Sequence, residues 1–420
     1  MITGPQARSM SLDVFENWFY AALGSAELAM LKSHHQMTEG ELDKIKQTIN
    51  SLPPRMRKAH MNAFANVVAT RISGVAPDLK LRYLKAALQI VGDNERAEEA
   101  KRLYDYYQDL VREIQLVTKV DGSSQINPDE PFGITVYLRH TKEIEREAGG
   151  FQKYLQNQKS GGGGYYNYGR PEEDYRDKFE EKARVALQEH FDVQSITFHA
   201  PDTESYTDEA YGWRVTPYAY ITLKPKGKQV DMIPSLQIDF DFLDTSNYVV
   251  IPIASAKLPI DCSGVDAKYR DIQNVKITQT FDDRAYEKDK KLTLEIRVQA
   301  HGLIPPVESM LDMKEFDGFE IVKIDDQANL VQSLDPLSEK SPVMSVRNAT
   351  VHLEPIDDRM PGSFTFPTAT VEVSKKDGML YHKYDDVDLI DAEQTISLVE
   401  NNSMTKTQLT IYIVGGVLVL

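Results

Sequence analysis

The sequence predicts an α+β multidomain protein. A helical bundle over residues 11–120 would be followed by a mixed, glycine-rich segment over 121–170. Two antiparallel β-sandwich modules over 171–262 and 270–402 come next, then the start of a transmembrane helix at 409–420. Three observations lead there. Apolar residues recur at three- and four-residue steps through the first part of the chain and at every second position from about residue 190. Many short strand-like runs then follow one another with no helical run between them, which excludes parallel βαβ units and indicates antiparallel sandwiches. The segment from Leu409 to Leu420 carries no charge.

Within the first region, Leu12, Phe15, Phe19, Ala22, Ala26 and Met30 mark one amphipathic helix. Thr38 and Glu41 form a capping box, whose hydroxyl and carboxylate satisfy backbone N–H groups at a helix start. Leu42, Ile45, Ile49 and Leu52 then share a face up to Pro53 and Pro54. The clearest helical stripe comprises Ala97, Ala100, Leu103, Tyr104, Tyr107, Leu110, Val111, Ile114 and Val117. Glu98 and Arg102 support it at i,i+4 spacing. Such stripes bury one another in an antiparallel bundle.

Phe132 to Leu138 reads as a strand and Thr141 to Leu155 as a short helix. Ser160 and glycines 161–164, followed by Tyr165, Tyr166 and Tyr168, read as a connector. No strand or Lys-Ser/Thr pair surrounds these glycines, so they are no phosphate loop. Pro171 opens a helix with Glu172, Glu173 and Asp174 at its positive end and Tyr175, Phe179, Ala183, Ala186 and Leu187 on its buried face. Strands follow at 193–199, 213–223, 236–243, 248–253, 275–281, 292–300, 319–324, 343–353, 363–373 and 394–400. The alternation of Leu292, Leu294, Ile296 and Val298 is the cleanest.

Charge restricts partners. The net charge is −16. Residues 1–120 hold 16 basic and 14 acidic residues, a net of +2, so the remainder carries −18. An acidic surface repels phosphate backbones and anionic lipid, and nucleic acid is excluded as an expected partner. The single cysteine, Cys262, excludes an intrachain disulfide, and Asp261 beside it opposes thiolate formation.

Acid clusters supply the candidate metal ligands. Asp239 and Asp241 fall on one face of a strand with Asp244 at the next turn, a spacing of hard oxygen ligands suited to Ca2+. Asp385, Asp386, Asp388 and Asp391 form a second group. No Asp-x-Asp-x-Asp-Gly loop accompanies either, and a solvated strand face backed by Ile238, Phe240 and Phe242 is the simpler reading. The histidine groupings His34-His35 and His140 to Glu143 lack zinc-protease spacing, and no serine-hydrolase elbow is present. No catalytic residue is nominated.

The order of Leu292 to Val298, His301 to Pro305, Gly318 to Val322, Ser363 to Pro367, Lys376 to Tyr381, Gln394 to Leu398 and the terminal apolar run resembles the tandem Ig-like modules of bacterial BatD-type membrane proteins. It is similar also to long uncharacterised membrane proteins of planctomycete-like bacteria. Over residues 270–420 the resemblance implies an Ig-like scaffold that works through partner proteins and has no catalytic residues to carry over. A membrane span needs roughly 20 apolar residues, so Leu409 to Leu420 reads as the first half of one. The N-terminus shows no secretory signal, and the chain reads as a piece of a longer protein. The expected protein is thus a membrane-anchored, extracytoplasmic, non-catalytic interaction or structural scaffold of a bacterial envelope. Its expected partners are other envelope or membrane proteins and the lipid bilayer. The competing class is an envelope hydrolase or carbohydrate-binding protein with an acidic, calcium-dependent site.

Overall fold

The helical stripe that begins at Ala97 stops short of Val117. Asn94 accepts a hydrogen bond from the Arg96 N–H at 3.0 Å and opens a 3-10 turn, Glu95–Ala97. The helix then runs only from Glu98 to Arg112. Ile114–Val120 is a strand, paired antiparallel with Phe132–His140. Ile114, Leu116, Val117, Thr118 and Val120 supply β-branched and apolar residues that fit a pleated surface, and two spacings of the helical stripe coincide with strand positions. The computed structural model describes residues 46–398 except 48, 72–76, 78–79, 145–174, 201, 209–211, 245–246, 265–270, 290, 314–315, 317, 336–340, 358–360 and 386.

These residues correct the predicted fold class. Among the described residues the protein is mostly β, and a long N-terminal helical bundle is not seen. Helices α1 (Pro54–Arg71), α2 (Lys80–Val91) and α3 (Glu98–Arg112) touch one another, but α2 and α3 also pack on a strand, Asn247–Ala254. Their apolar faces therefore serve a mixed core within the first of two compact units, Met1–Lys268 and Tyr269–Leu420. The expected helix at residues 12–30, the capping box and the connector lie outside the described residues. The transmembrane helix is corrected as well. No described helix is long and apolar enough to cross a membrane. The expected start of that helix, residues 409–420, lies outside the described residues.

In the first unit, strands β1 (Ile114–Val120), β2 (Phe132–His140), β3 (Phe191–Phe198) and β5 (Arg214–Pro225) form a sheet in the order β1-β2-β5-β3, with β4 (Tyr206–Thr207) on β5. Both β2 and β3 run antiparallel to β5, so they are parallel to each other with β5 inserted between them. Helix α4 (Tyr175–Leu187) lies between β2 and β3 in the chain, which makes a split β-α-β arrangement. As the central strand, β5 is buried along nearly its whole length. Gly133 on β2 is required by close approach. The Tyr220 ring from β5 crosses it, and a Cβ there would overlap the phenol, whose hydroxyl donates to Asp121 Oδ2 at 2.7 Å. A short pair, β6 (Met232–Ile233) with β9 (Leu258–Pro259), flanks a hairpin, β7 (Gln237–Asp244) with β8 (Asn247–Ala254). Along β7 the predicted inward residues Ile238, Phe240 and Phe242 are buried.

In the second unit the large sheet runs β12-β14-β11-β10-β16-β17. Its strands are β10 (Gln273–Asp282), β11 (Leu292–His301), β12 (Phe319–Asp326), β14 (Val343–Pro355), β16 (Met379–Asp385) and β17 (Asp388–Asp391), with β13 (Leu330–Leu334) beside β14. Every pairing is antiparallel except β10 with β16. Leu292, Leu294, Ile296 and Val298 all face the core. A two-stranded sheet, β15 (Ser363–Thr365) with β18 (Thr395–Ser397), forms a second layer. Its Phe364 stacks on Phe281 of β10 at 4.3 Å between centroids and meets Phe316, Phe319 and Phe366. Pro367 explains why β15 is shorter than the expected 363–373, because it has no N–H to donate to a ladder.

The chain between β12 and β13 is tied down by polar contacts. Asn329 accepts from the Ile304 N–H and donates to the Ile304 carbonyl, at 3.0 and 2.8 Å, imitating a strand partner. Arg347 pairs with Asp326 at 2.6 Å and also donates to the Ile304 carbonyl.

Candidate interaction surface

The acidic strand proposed for calcium faces helix α4. Lys182 and Lys178 place their Nζ atoms 2.6 and 3.1 Å from Asp239 Oδ2, and Gln237 donates to Oδ1 at 2.8 Å. Tyr175 donates its hydroxyl to Asp241 Oδ2 at 2.9 Å. Tyr175, Lys178 and Lys182 are three and four residues apart, one stripe of the helix. The positions a cation would take beside Asp239 are held by two ammonium groups. Burial alone would raise the Asp239 carboxyl, but the hydrogen bonds from Lys182 and Gln237 and the charge of Lys178 outweigh it and hold the group below the usual carboxylate range. Asp244 ends β7 opposite Asn247, and its side chain lies outside the described set. Among the described residues no group of three or more His, Cys, Asp or Glu is placed to hold a metal.

Cys262 is buried, and its thiol is pushed up to about 11 by burial and by the charges of Asp261 and Asp231. That environment keeps the thiol protonated and weakly nucleophilic. His140 is fully buried. Its Nδ1 lies 3.0 Å from the Thr141 carbonyl and so donates, leaving Nε2, 2.9 Å from Thr216 Oγ1, to accept in the neutral ring. Thr216 Oγ1 is in turn 2.6 Å from Ser205 Oγ. This hydrogen-bonded chain secures the ends of β2 and β5. Glu143, the acid read beside His140 in the sequence, takes no part in it.

His199 makes the stability of the first unit depend on pH. It is 3 % exposed, and burial together with the nearby Arg176 charge lowers its pKa to about 4. An unfolded histidine titrates near 6.5, so between those values the unfolded chain binds the extra proton. Stability contributed by neutral His199 is therefore complete above about pH 6.5 and is lost as the pH falls toward 4. Denaturant titrations of the first unit, followed by Trp213 fluorescence, should show a loss of about 2 kcal/mol from pH 6.5 to 5. In His199→Phe that slope should vanish.

The second acid group lies on the hairpin formed by β16 and β17, at an edge of the large sheet. Asp385, Asp388 and Asp391 are exposed, and Asp386 lies outside the described residues. Three apolar side chains stand among them: Val387 is 86 % exposed, Leu389 53 % and Ile390 42 %. The nearest basic groups are engaged elsewhere. Lys383 pairs with Asp283 at 2.8 Å, and Arg284 lies 3.8 Å over the Tyr384 ring while bound to Asp282. His382 approaches Asp391 at 3.1 Å. The outer edge of β17 pairs with no strand among the described residues. The result is an acidic edge studded with apolar side chains. Sequence reading missed β16 and β17 because each is short and their aspartates suggested a metal loop. The available signal was Val387, Leu389 and Ile390 interleaved with Asp386, Asp388 and Asp391.

Fold and surface together define the class: a two-unit, mainly β protein whose second unit presents an acidic and apolar edge strand, unpaired on its outer side among the described residues. Comparison of the chain with protein-family models and with curated proteins gave no match.

Proposed function

We propose that the chain is a non-catalytic interaction protein of a bacterial envelope, whose second unit takes up an extended segment of another protein along β17. One observation carries the reading, the exposure of Leu389 and Ile390 on an edge strand and of Val387 in the turn that leads into it. A free strand edge offers a row of N–H and C=O groups to an added strand. Burial of exposed apolar side chains adds about 25 cal/mol per Å2 to such an association. Asp385, Asp388 and Asp391 select for a partner strand in which Lys or Arg alternates with apolar residues. The envelope setting is supported by the resemblance of residues 270–420 to tandem Ig-like modules.

The test uses two labelled peptides, one alternating Lys with Val and one alternating Glu with Val. Fluorescence anisotropy should show saturable binding of the basic peptide, weakened by salt. Hydrogen exchange should slow at residues 388–391 when it binds. The doubly substituted Leu389→Lys, Ile390→Lys chain should keep its circular dichroism and lose at least tenfold in affinity. Equal binding of both peptides, or an unaffected double variant, would count against the proposal.

A further inference from the structure

Strand β1 ends its side of the first sheet, and its outer edge faces a groove. Asp121 donates its N–H to the Gly133 carbonyl at 2.9 Å, and Thr141 donates its N–H to the Glu113 carbonyl at 3.1 Å. The register between those pairs is unbroken, so the odd-numbered residues of β1 bond to β2. Ile114, Leu116 and Thr118 therefore direct their N–H and C=O groups outward, where no strand pairs with them among the described residues. The groove has a volume of about 390 Å3. Residues 114–118 all line it, so side chains from both strand faces border it and the backbone edge opens onto it. That is roughly 13 Å of strand, against which about four residues of another strand can lie.

The opposite wall is β8 and the chain that follows it. The Val250 N–H donates to the Pro77 carbonyl at 2.9 Å and the Ser255 N–H to the Leu236 carbonyl at 2.8 Å. Pro252 and Ala254 thus turn their backbone groups away from β7. Pro252 has no N–H, so this wall serves packing more than pairing. The inner side of the groove is apolar, with Ile114, Leu116 and Ile253 buried. Of the residues that line it only Lys257 is charged, and this exposed side chain forms no ion pair among the described residues. We propose that the groove takes an extended segment of another protein, an uncharged run of β-branched residues that carries one aspartate or glutamate beside Lys257. The run pairs with Ile114, Leu116 and Thr118 as an added strand and packs on Pro252, Ala254 and Ala256. Charge complementarity selects the acid, since one unpaired ammonium meets one carboxylate. A segment charged at every second position is excluded, because its charges would lie over Val117, Pro252 and Ala254.

The proposal concerns the first unit and does not rest on β17, and the alternating peptides that test β17 do not fit this groove. The full chain is titrated with an end-blocked, labelled peptide of valine and threonine closed by one aspartate, and with a twin closed by lysine. Fluorescence anisotropy should show saturable binding of the aspartate peptide, at least tenfold tighter than its twin. Hydrogen exchange should slow at residues 114–118 and not at 388–391. Methylating alternate amide nitrogens of the peptide removes the donors along one of its edges. One phase of methylation should abolish binding and the other should leave it unchanged. Lys257→Met should bring the two peptides to equal affinity. Ala254→Arg, with unchanged circular dichroism, should weaken binding at least tenfold. No saturable binding, equal affinity for both peptides in the parent chain, or tolerance of both methylation phases would overturn the inference. So would protection of 114–118 that rises with the concentration of the chain alone, since a second copy would then be the occupant.

Discussion

Phe364→Ala should lower the stability of the second unit by about 4 kcal/mol, because the ring is the hub of the contact between its two layers. Phe364 is 1 % exposed and touches Phe281, Phe316, Phe319 and Phe366, with Phe366 passing the contact on to Tyr381 at 5.0 Å. Truncation removes the transfer free energy of a buried ring and leaves a cavity walled by β10, by the 316–319 segment and by Phe366. The large sheet contributes two of those walls and cannot collapse inward without losing pairing. Phe364→Leu keeps most of the volume and should cost under about 1.5 kcal/mol. Neither tryptophan lies in residues 269–420, so the readout is hydrogen exchange at residues 292–301 and 343–355. Exchange in β1 and β2 serves as the internal reference. A loss below 1.5 kcal/mol for Phe364→Ala would show that the two-stranded layer is an appendage, not part of the core.

Asp239→Ala should destabilise the first unit by about 3 kcal/mol, the cost of leaving two lysines facing a closed strand surface without their anion. The Asp239 side chain is 9 % exposed, Lys178 22 % and Lys182 35 %, so Lys182 can swing toward water and Lys178 has less room. Replacing the cluster whole, as Asp239→Leu with Lys178→Met and Lys182→Met, should restore most of the loss, since an apolar contact of similar volume needs no desolvation of charge. The pH dependence has a fixed sign. A carboxyl held below its ordinary value contributes stability above the usual carboxylate range and loses it as the pH falls through the depressed value. Denaturant melts at pH 7 should separate the single variant from the triple one. Equal losses in both would show that the strand packs on α4 through shape alone.

These two sites show how differently the sequence reports on its fold. Phe364 lies in a short alternating run, and Leu292 to Val298 is a longer one, so burial on one face of a strand is written locally. The strand limits near 191, 214, 237, 247, 273, 292, 319 and 343 follow the same two-residue period. Asp239 and Asp241 follow it too, but what lies opposite them does not appear in their neighbourhood. The lysines that neutralise them come from a helix some 60 residues earlier, and a solvated face and a docked face have the same local pattern. The neighbourhood of Tyr218, His199 and Arg176 is further from view, since a bulge in β5, the end of β3 and helix α4 bring its members together.

Local periodicity, proline position and charge thus determined the strands that begin near 191, 214, 237, 247, 273, 292, 319 and 343, the helix 175–187 and the acidic character of the later chain, because each depends on residues a few positions apart. Only the tertiary structure decided that the helix starting at Glu98 gives way to an edge strand and that residues 114–140 share a sheet with 191–225. It also decided that one aspartate group is paired with lysines while the other stands exposed on a sheet edge. Those outcomes depend on pairings between distant segments, where burial and countercharge are supplied by residues with no fixed spacing in the chain.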